Sequence, residues 1–203
     1  MTLAGRPSAA HTFALPNLLT FGRIAAIPAV VACLFWSQLF QGGLWLRWVA
    51  LFIFITAALT DMLDGYFARS WGQLSPLGRM LDPIADKLLV GSCLLMLAAD
   101  GTILGWSLWA AIVILCREIL VSGLREFLAE LNVRVQVTWL AKWKTTVQLV
   151  AVGFLIAGEA GDEILPMTTL IGIALLWVSA IVTLYTGWDY LRVAVHHLTH
   201  DKP

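Results

Sequence analysis

Trp48-Val-Ala-Leu-Phe-Ile-Phe-Ile-Thr-Ala-Ala-Leu-Thr60 runs without a charge into Asp61-Met-Leu-Asp64-Gly65-Tyr-Phe-Ala68-Arg69. Soon after, Gly78-Arg-Met-Leu-Asp82-Pro-Ile-Ala-Asp86-Lys87 leads into a second charge-free window, Leu88–Ala99. Each window is shorter than the roughly 20 apolar residues a membrane-crossing helix needs. Each helix must therefore be completed by its polar end, which makes the aspartates part of membrane helices rather than of a soluble loop. Positions 61, 64, 65 and 68 are i, i+3, i+4 and i+7 of a helix, and 78, 82 and 86 are i, i+4 and i+8; each set shares one face. Ser75-Pro76 suits the N-cap and first position of the second helix, and Pro83 is expected to kink it.

The rest of the chain agrees. Of 203 residues, 60% are hydrophobic and 13% charged, with 13 basic and 13 acidic side chains. Too few polar groups remain to coat a soluble domain of this size. With no basic surplus, nucleic acid is excluded as a partner, and the apolar content excludes disorder. Cys33, Cys93 and Cys116 lie in apolar runs without paired spacing and read as buried hydrophobes, not bridges or metal ligands. The reading is an all-α integral membrane protein with six transmembrane helices, near 18–40, 45–69, 77–99, 103–130, 137–158 and 165–192. Asp100-Gly101 is a turn between the third and fourth helices, and Gly158–Glu163 separates the last two. Residues 1–17 form an N-terminal segment that could lie in the interface, 18–192 the six-helix transmembrane domain and 193–203 a polar tail; no cleaved signal peptide is expected.

Twelve of the 13 Lys and Arg residues fall on the side that holds both termini or in helix ends facing it, and Arg47 alone falls opposite. That side is therefore cytoplasmic, with the aspartates on it. Trp45, Trp48, Trp106 and Trp109 mark the outer boundary. His196 and His200, four apart in the polar tail, read as solvated or headgroup-facing, and Glu159, Asp162 and Glu163 as an ordinary outer loop.

Four acids on two successive helices, in phase with the small residues Gly65, Ala68 and Gly78, exceed what salt bridges to Arg69, Arg79 and Lys87 explain. Such an oxygen-rich set suits a hard divalent cation, Mg²⁺ or Mn²⁺. A divalent-metal transporter would use acids too, but nearer mid-membrane and on several helices, often with repeat symmetry. Arg117 and Arg125 share a face of the fourth helix, and Lys142 and Lys144 enter from the fifth. Together they suit a phosphate dianion, or else lipid phosphates. Adjacent residues diverge by about 100° on a helix, so Arg117 and Glu118 should not pair with each other and each needs a partner elsewhere.

Asp61-x2-Asp64-Gly65-x2-Ala68-Arg69-x8-Gly78-x3-Asp82-x3-Asp86 resembles, without gap or substitution, the signature of the CDP-alcohol phosphatidyltransferases. The resemblance implies that family's six-helix fold, a homodimer and a bacterial inner-membrane location. Three further segments are similar to its phosphatidylglycerophosphate synthase branch: Leu15-Pro16-Asn17-Leu-Leu-Thr20-x2-Arg23, Arg117-Glu118-Ile-x6-Arg125-Glu126 and Lys142-Trp-Lys144-Thr145. Ala141 departs from the glycine expected there, and the sixth helix offers only hydropathy. The implied reaction joins CDP-diacylglycerol to sn-glycerol 3-phosphate and releases CMP; serine, inositol phosphate or a phosphatidylglycerol remain alternative acceptors. The implied roles are metal ligation by Asp61, Asp64, Asp82 and Asp86, and general base catalysis by Asp86. Asn17, Thr20, Gly65, Ala68, Arg69 and Gly78 would line the CDP-lipid site, and Arg117, Arg125, Lys142 and Lys144 the glycerol-phosphate site.

Overall fold

The computed structural model describes residues 15–40, 42–71, 76–130 and 139–200. Most of the N-terminal segment and the Ser75 cap lie outside these residues. Six helices follow in order: α1 Leu15–Leu39, α2 Trp45–Trp71, α3 Pro76–Ala99, α4 Ser107–Glu130, α5 Trp139–Asp162 and α6 Thr168–His200. Among the described residues there is no strand. α1 packs on α2 and α3, while α6 packs on α5 and α4, and α2 joins the two groups through α5. Val30, Leu34, Phe54, Leu97, Ile114, Leu155 and Leu176, drawn from all six helices, form one core cluster.

What lies inside and outside inverts the pattern of a soluble protein. The largest fully buried side chain among the described residues is Arg23, and Arg47, Arg117 and Lys144 are buried as well. Phe52, Leu95, Ile119 and Ile181 face outward, as do Trp45, Trp106 and Trp109. Apolar side chains at an outer surface gain nothing in water but suit lipid, so the chain is an integral membrane protein. Leu19–Leu39, Ser107–Ala129 and Thr168–Arg192 are each long and apolar enough to cross a membrane, whereas the apolar part of α2 is the shorter Trp45–Thr60.

Several boundaries differ from the sequence reading, for identifiable reasons. α1 starts at Leu15 because Pro16 fits a first turn, where its missing N–H costs nothing. α4 starts at Ser107 instead of 103 because Asp100 Oδ1 accepts the Thr102 N–H at 2.8 Å, and the chain turns back so that Ile103 N–H reaches Leu97 O at 2.8 Å. α6 runs on to His200, eight residues beyond the end expected at 192, so most of the polar tail continues the helix. Asp162 is more than an ordinary loop acid: it accepts from Thr169 N–H at 3.1 Å and Thr169 Oγ1–H at 2.5 Å, capping the start of α6. α3 passes through Pro83 as one helix. Cys93 is buried as expected, but Cys33 is half-buried and Cys116 exposed on the apolar outer face of α4.

Opposite the aspartate end, Arg47 of α2 ties three segments together. Its Nη1–H donates to Asp100 Oδ2 at 3.1 Å and its Nη2–H to Thr102 Oγ1 at 2.9 Å. Nε–H and Nη2–H also donate to the Ile156 and Leu155 carbonyls, each at 3.0 Å. α5 breaks helical geometry at Gly158 (φ 44°, ψ −127°), which leaves such carbonyls without the usual partners further along. A Cβ at Gly158 would stand 2.4 Å from Arg47 Nη2, so only glycine admits the guanidinium here.

Candidate active site

α2 and α3 present the signature positions where the two helices end and begin. The described helix of α2 carries 61, 64, 65 and 68 on one face, as the spacing required. The side chains of Asn17, Asp61, Asp64, Gly65, Ala68, Arg69, Gly78 and Lys142 lie outside the described residues. On α3, Asp82 and Asp86 are one turn apart and half-buried. α1 meets them here: buried Thr20 donates its hydroxyl to Asp82 Oδ1 at 2.6 Å. Lys87, which could have reached back to an aspartate, donates to its own Pro83 carbonyl at 2.8 Å.

Thr20 was expected beside the nucleotide, and it touches an aspartate as well. One turn further along α1, Arg23 is 1% exposed and lines a cavity of about 280 Å³ with Thr56 and Thr60 of α2. The sequence reading quoted Arg23 within its motif but gave it no role in the site. Its signal was available: an arginine three residues after Thr20 shares that residue's helix face.

The basic residues form a second group across α4, α5 and α6. Arg117 donates Nε–H to the Thr183 carbonyl at 3.1 Å and Nη2–H to Thr186 Oγ1 at 2.9 Å. Gly187 makes room for it, since a Cβ there would lie 3.1 Å from Arg117 Cγ. Two turns on, Arg125 stacks over the Tyr190 ring, 5.7 Å from its centroid. Arg117 and Arg125 thus share a face, and that face meets α6. Thr183, Thr186, Gly187 and Tyr190 are i, i+3, i+4 and i+7, a helix-period signal the sequence reading passed over as plain hydropathy.

Lys144 of α5 pairs with Glu118 of α4 and is itself 5% exposed. Asp86 lies near enough for its charge to act on the same ammonium, so α3 and α5 converge here. Glu118 also stands 3.7 Å from Arg117 Nη1, which corrects the expectation that these neighbours would not pair. The long arginine side chain spans the angular gap, but the firmer partners of both are on other helices, as anticipated. Two buried cations, Arg117 and Lys144, thus share one carboxylate. Among the described residues, which do not include the α2 aspartate side chains, no three potential ligands stand close enough to hold a metal. The chemistry of the full set, four carboxylates on adjoining helices with a hydroxyl beside one of them, fits a hard divalent cation.

An apolar groove of about 500 Å³ runs along the seam of α2 and α5, lined by Trp48, Leu51 and Leu59 on one side and Val150 and Phe154 on the other. From Trp48 to Leu59 its described lining covers about 16 Å of α2 at 1.5 Å per residue. Nothing in the sequence pattern marked it.

A family model described as CDP-alcohol phosphatidyltransferase matches residues 13–185. The chain is 38% identical to the CDP-diacylglycerol–glycerol-3-phosphate 3-phosphatidyltransferase of Cereibacter sphaeroides, over 94% of this chain and 99% of the relative. It is 41% identical to the protein of that same name from Rickettsia bellii, over 88% of this chain and 93% of the relative. A protein named cardiolipin synthase (CMP-forming), from Oryza sativa subsp. japonica, is 37% identical over 93% of this chain and 60% of its own length.

Proposed function

Because the chain belongs to the CDP-alcohol phosphatidyltransferase family and is a transferase, we propose that it is a phosphatidylglycerophosphate synthase. It joins CDP-diacylglycerol to sn-glycerol 3-phosphate and releases CMP, a step of phospholipid biosynthesis. The observation that carries the acceptor is the pair of buried cations, Arg117 and Lys144, drawn together on the carboxylate of Glu118. A phosphate dianion needs such cations; serine does not. The relatives named for this reaction, alike over nearly their whole length, support it.

Asp61, Asp64, Asp82 and Asp86 would hold Mg²⁺ or Mn²⁺, which when bound neutralises the diphosphate and polarises the attacked phosphorus. The protein's own groups do the rest. Asn17, Thr20, Gly65, Ala68, Arg69 and Gly78 line the CDP-lipid site, and Arg23 adds a buried positive charge to it. Arg117, Arg125, Lys142 and Lys144 hold the acceptor phosphate. Asp86 takes the proton of the glycerol hydroxyl as its oxygen bonds to the phosphorus bearing the diacylglycerol. The bond from that phosphorus to the CMP oxygen breaks, and CMP leaves with the electron pair. The groove between α2 and α5 takes one acyl chain of the donor, since it is apolar, open to lipid and runs along α2, the helix that carries Asp61 further on.

All six helices cross the bilayer, each of the shorter apolar stretches completed by a polar end. The bias of Lys and Arg toward one side supports a cytoplasmic position for both termini and the active site, in a bacterial inner membrane. The enzyme works as a homodimer.

The test is CMP release by purified protein in detergent with CDP-diacylglycerol and Mg²⁺. Glycerol 3-phosphate, serine, inositol 1-phosphate and phosphatidylglycerol are compared as acceptors. Release that requires both the metal and glycerol 3-phosphate is expected. Release with phosphatidylglycerol instead would move the chain to the activity for which the Oryza relative is named.

A further inference from the structure

Resting on the glycerol-phosphate reading, we propose that Glu118 is a positioning residue of the acceptor site. It holds the Lys144 ammonium at the seam of α4 and α5, beside Arg117, and so keeps it off Asp86. An ammonium buried in a membrane bundle must have an acidic partner. Two acids act on Lys144: Glu118 in direct contact and Asp86 through its charge at longer range. Glu118 wins by contact, and the outcome matters because Asp86 is the proposed base. An ammonium seated on Asp86 would occupy the oxygen that must take the hydroxyl proton.

Arg117 cannot take over from Lys144. Its Nε and Nη2 are committed to Thr183 and Thr186, and Gly187 confines its stem. Arg117 can offer a phosphate its Nη1, but of the two Lys144 is the one that can turn toward it. An ammonium has three donors, so one can stay on Glu118 while the others meet the acceptor. Glu118 never touches the reacting atoms in this account; it acts through Lys144.

Glu118→Gln should free Lys144 to pair with Asp86, withdrawing a cation from the acceptor and obstructing the base together. The KM for glycerol 3-phosphate should rise on the order of 10- to 100-fold, the scale of a lost charge-assisted hydrogen bond. kcat should fall as well, while the KM for CDP-diacylglycerol stays within about twofold. Glu118→Asp should recover part of the loss. Exchanging the charges, Glu118→Lys with Lys144→Glu, should restore the thermal stability of the pair without restoring the acceptor KM. An unchanged acceptor KM in Glu118→Gln, an equal rise for both substrates, or full activity in the exchanged variant would each overturn the proposal. If Glu118→Gln fails to fold, Glu118→Asp and the exchanged variant decide it by the same readouts. The wild-type acceptor comparison separates the two levels. A wild type indifferent to glycerol phosphate removes the functional reading. A dependent wild type with an unaffected Glu118→Gln removes only the role of Glu118.

Discussion

Two buried basic clusters sit at opposite ends of this bundle, and they balance their charges differently. At one end Arg47 meets Asp100, Thr102 and the carbonyls of Leu155 and Ile156. Its charge has a matching carboxylate, the pair is almost wholly buried, and the backbone of α5 opens at Gly158 to admit it. At the other end two buried cations, Arg117 and Lys144, share Glu118. A balanced, saturated cluster is a brace. On the proposed reading, a cluster whose cations share one carboxylate has donors left for a ligand. Burial alone does not tell the two apart, since Arg47 and Lys144 are about equally hidden.

The largest expected effect tests whether the unbalanced end does chemistry. Asp86→Asn should cut CMP release by about two to four orders of magnitude, the usual contribution of a positioned proton acceptor. Binding of CDP-diacylglycerol, followed by equilibrium dialysis, should persist, and retained turnover would remove Asp86 as base. Next comes the brace. Arg47→Met leaves Asp100 buried without its partner, which costs about 3–5 kcal/mol for a broken buried pair. Thermal unfolding in detergent should register it, while the acceptor KM of the protein that remains folded should not move; a shifted KM would erase the distinction between the two ends. Arg117→Ala should raise the KM for glycerol 3-phosphate by about 10- to 100-fold and that for the CDP-lipid much less. Equal rises would make Arg117 a second brace, tied to α6.

The smallest effect concerns Asp162, which lies past the Gly158 break. Hydrogen bonds from Thr169, hydroxyl first and backbone second, hold its carboxyl below the usual carboxylate range. A lowered folded-state value means that the stabilisation is present above the unfolded carboxylate range and fades as pH falls through the folded value. The stability difference between wild type and Asp162→Ala, measured by thermal unfolding across pH, should therefore shrink in acid. A difference that grows in acid would show that the cap does not depend on the charge.

How much of this was legible beforehand follows from the range of each signal. The spacing of Asp61, Asp64, Asp82 and Asp86 is local, and so were the helices that carry them. The common face of Arg117 and Arg125 was legible, but what it faces was not, because Thr183 and Tyr190 carry no charge to stand out in an apolar run. The Arg47 brace joins residues up to 109 positions apart. No periodicity reports such a pairing; Gly158 read only as a loop glycine. The start of α4 was missed because a single side chain, Asp100, redirects the chain through 103–106, four residues that hydropathy alone counts as helix.

The tie between Arg117 and α6 also sets a timetable for biogenesis. Arg117 lies within the apolar stretch Ser107–Ala129, and its carbonyl partner Thr183 is synthesised 66 residues later. At about 5–20 residues per second the ribosome takes about 3–13 s to supply it. Throughout that interval α4 must either keep its guanidinium against Glu118 or wait beside the translocon. Nascent chains halted before Thr183 should accordingly leave α4 open to protease, whereas full protection at that length would mean that Glu118 suffices to seat it.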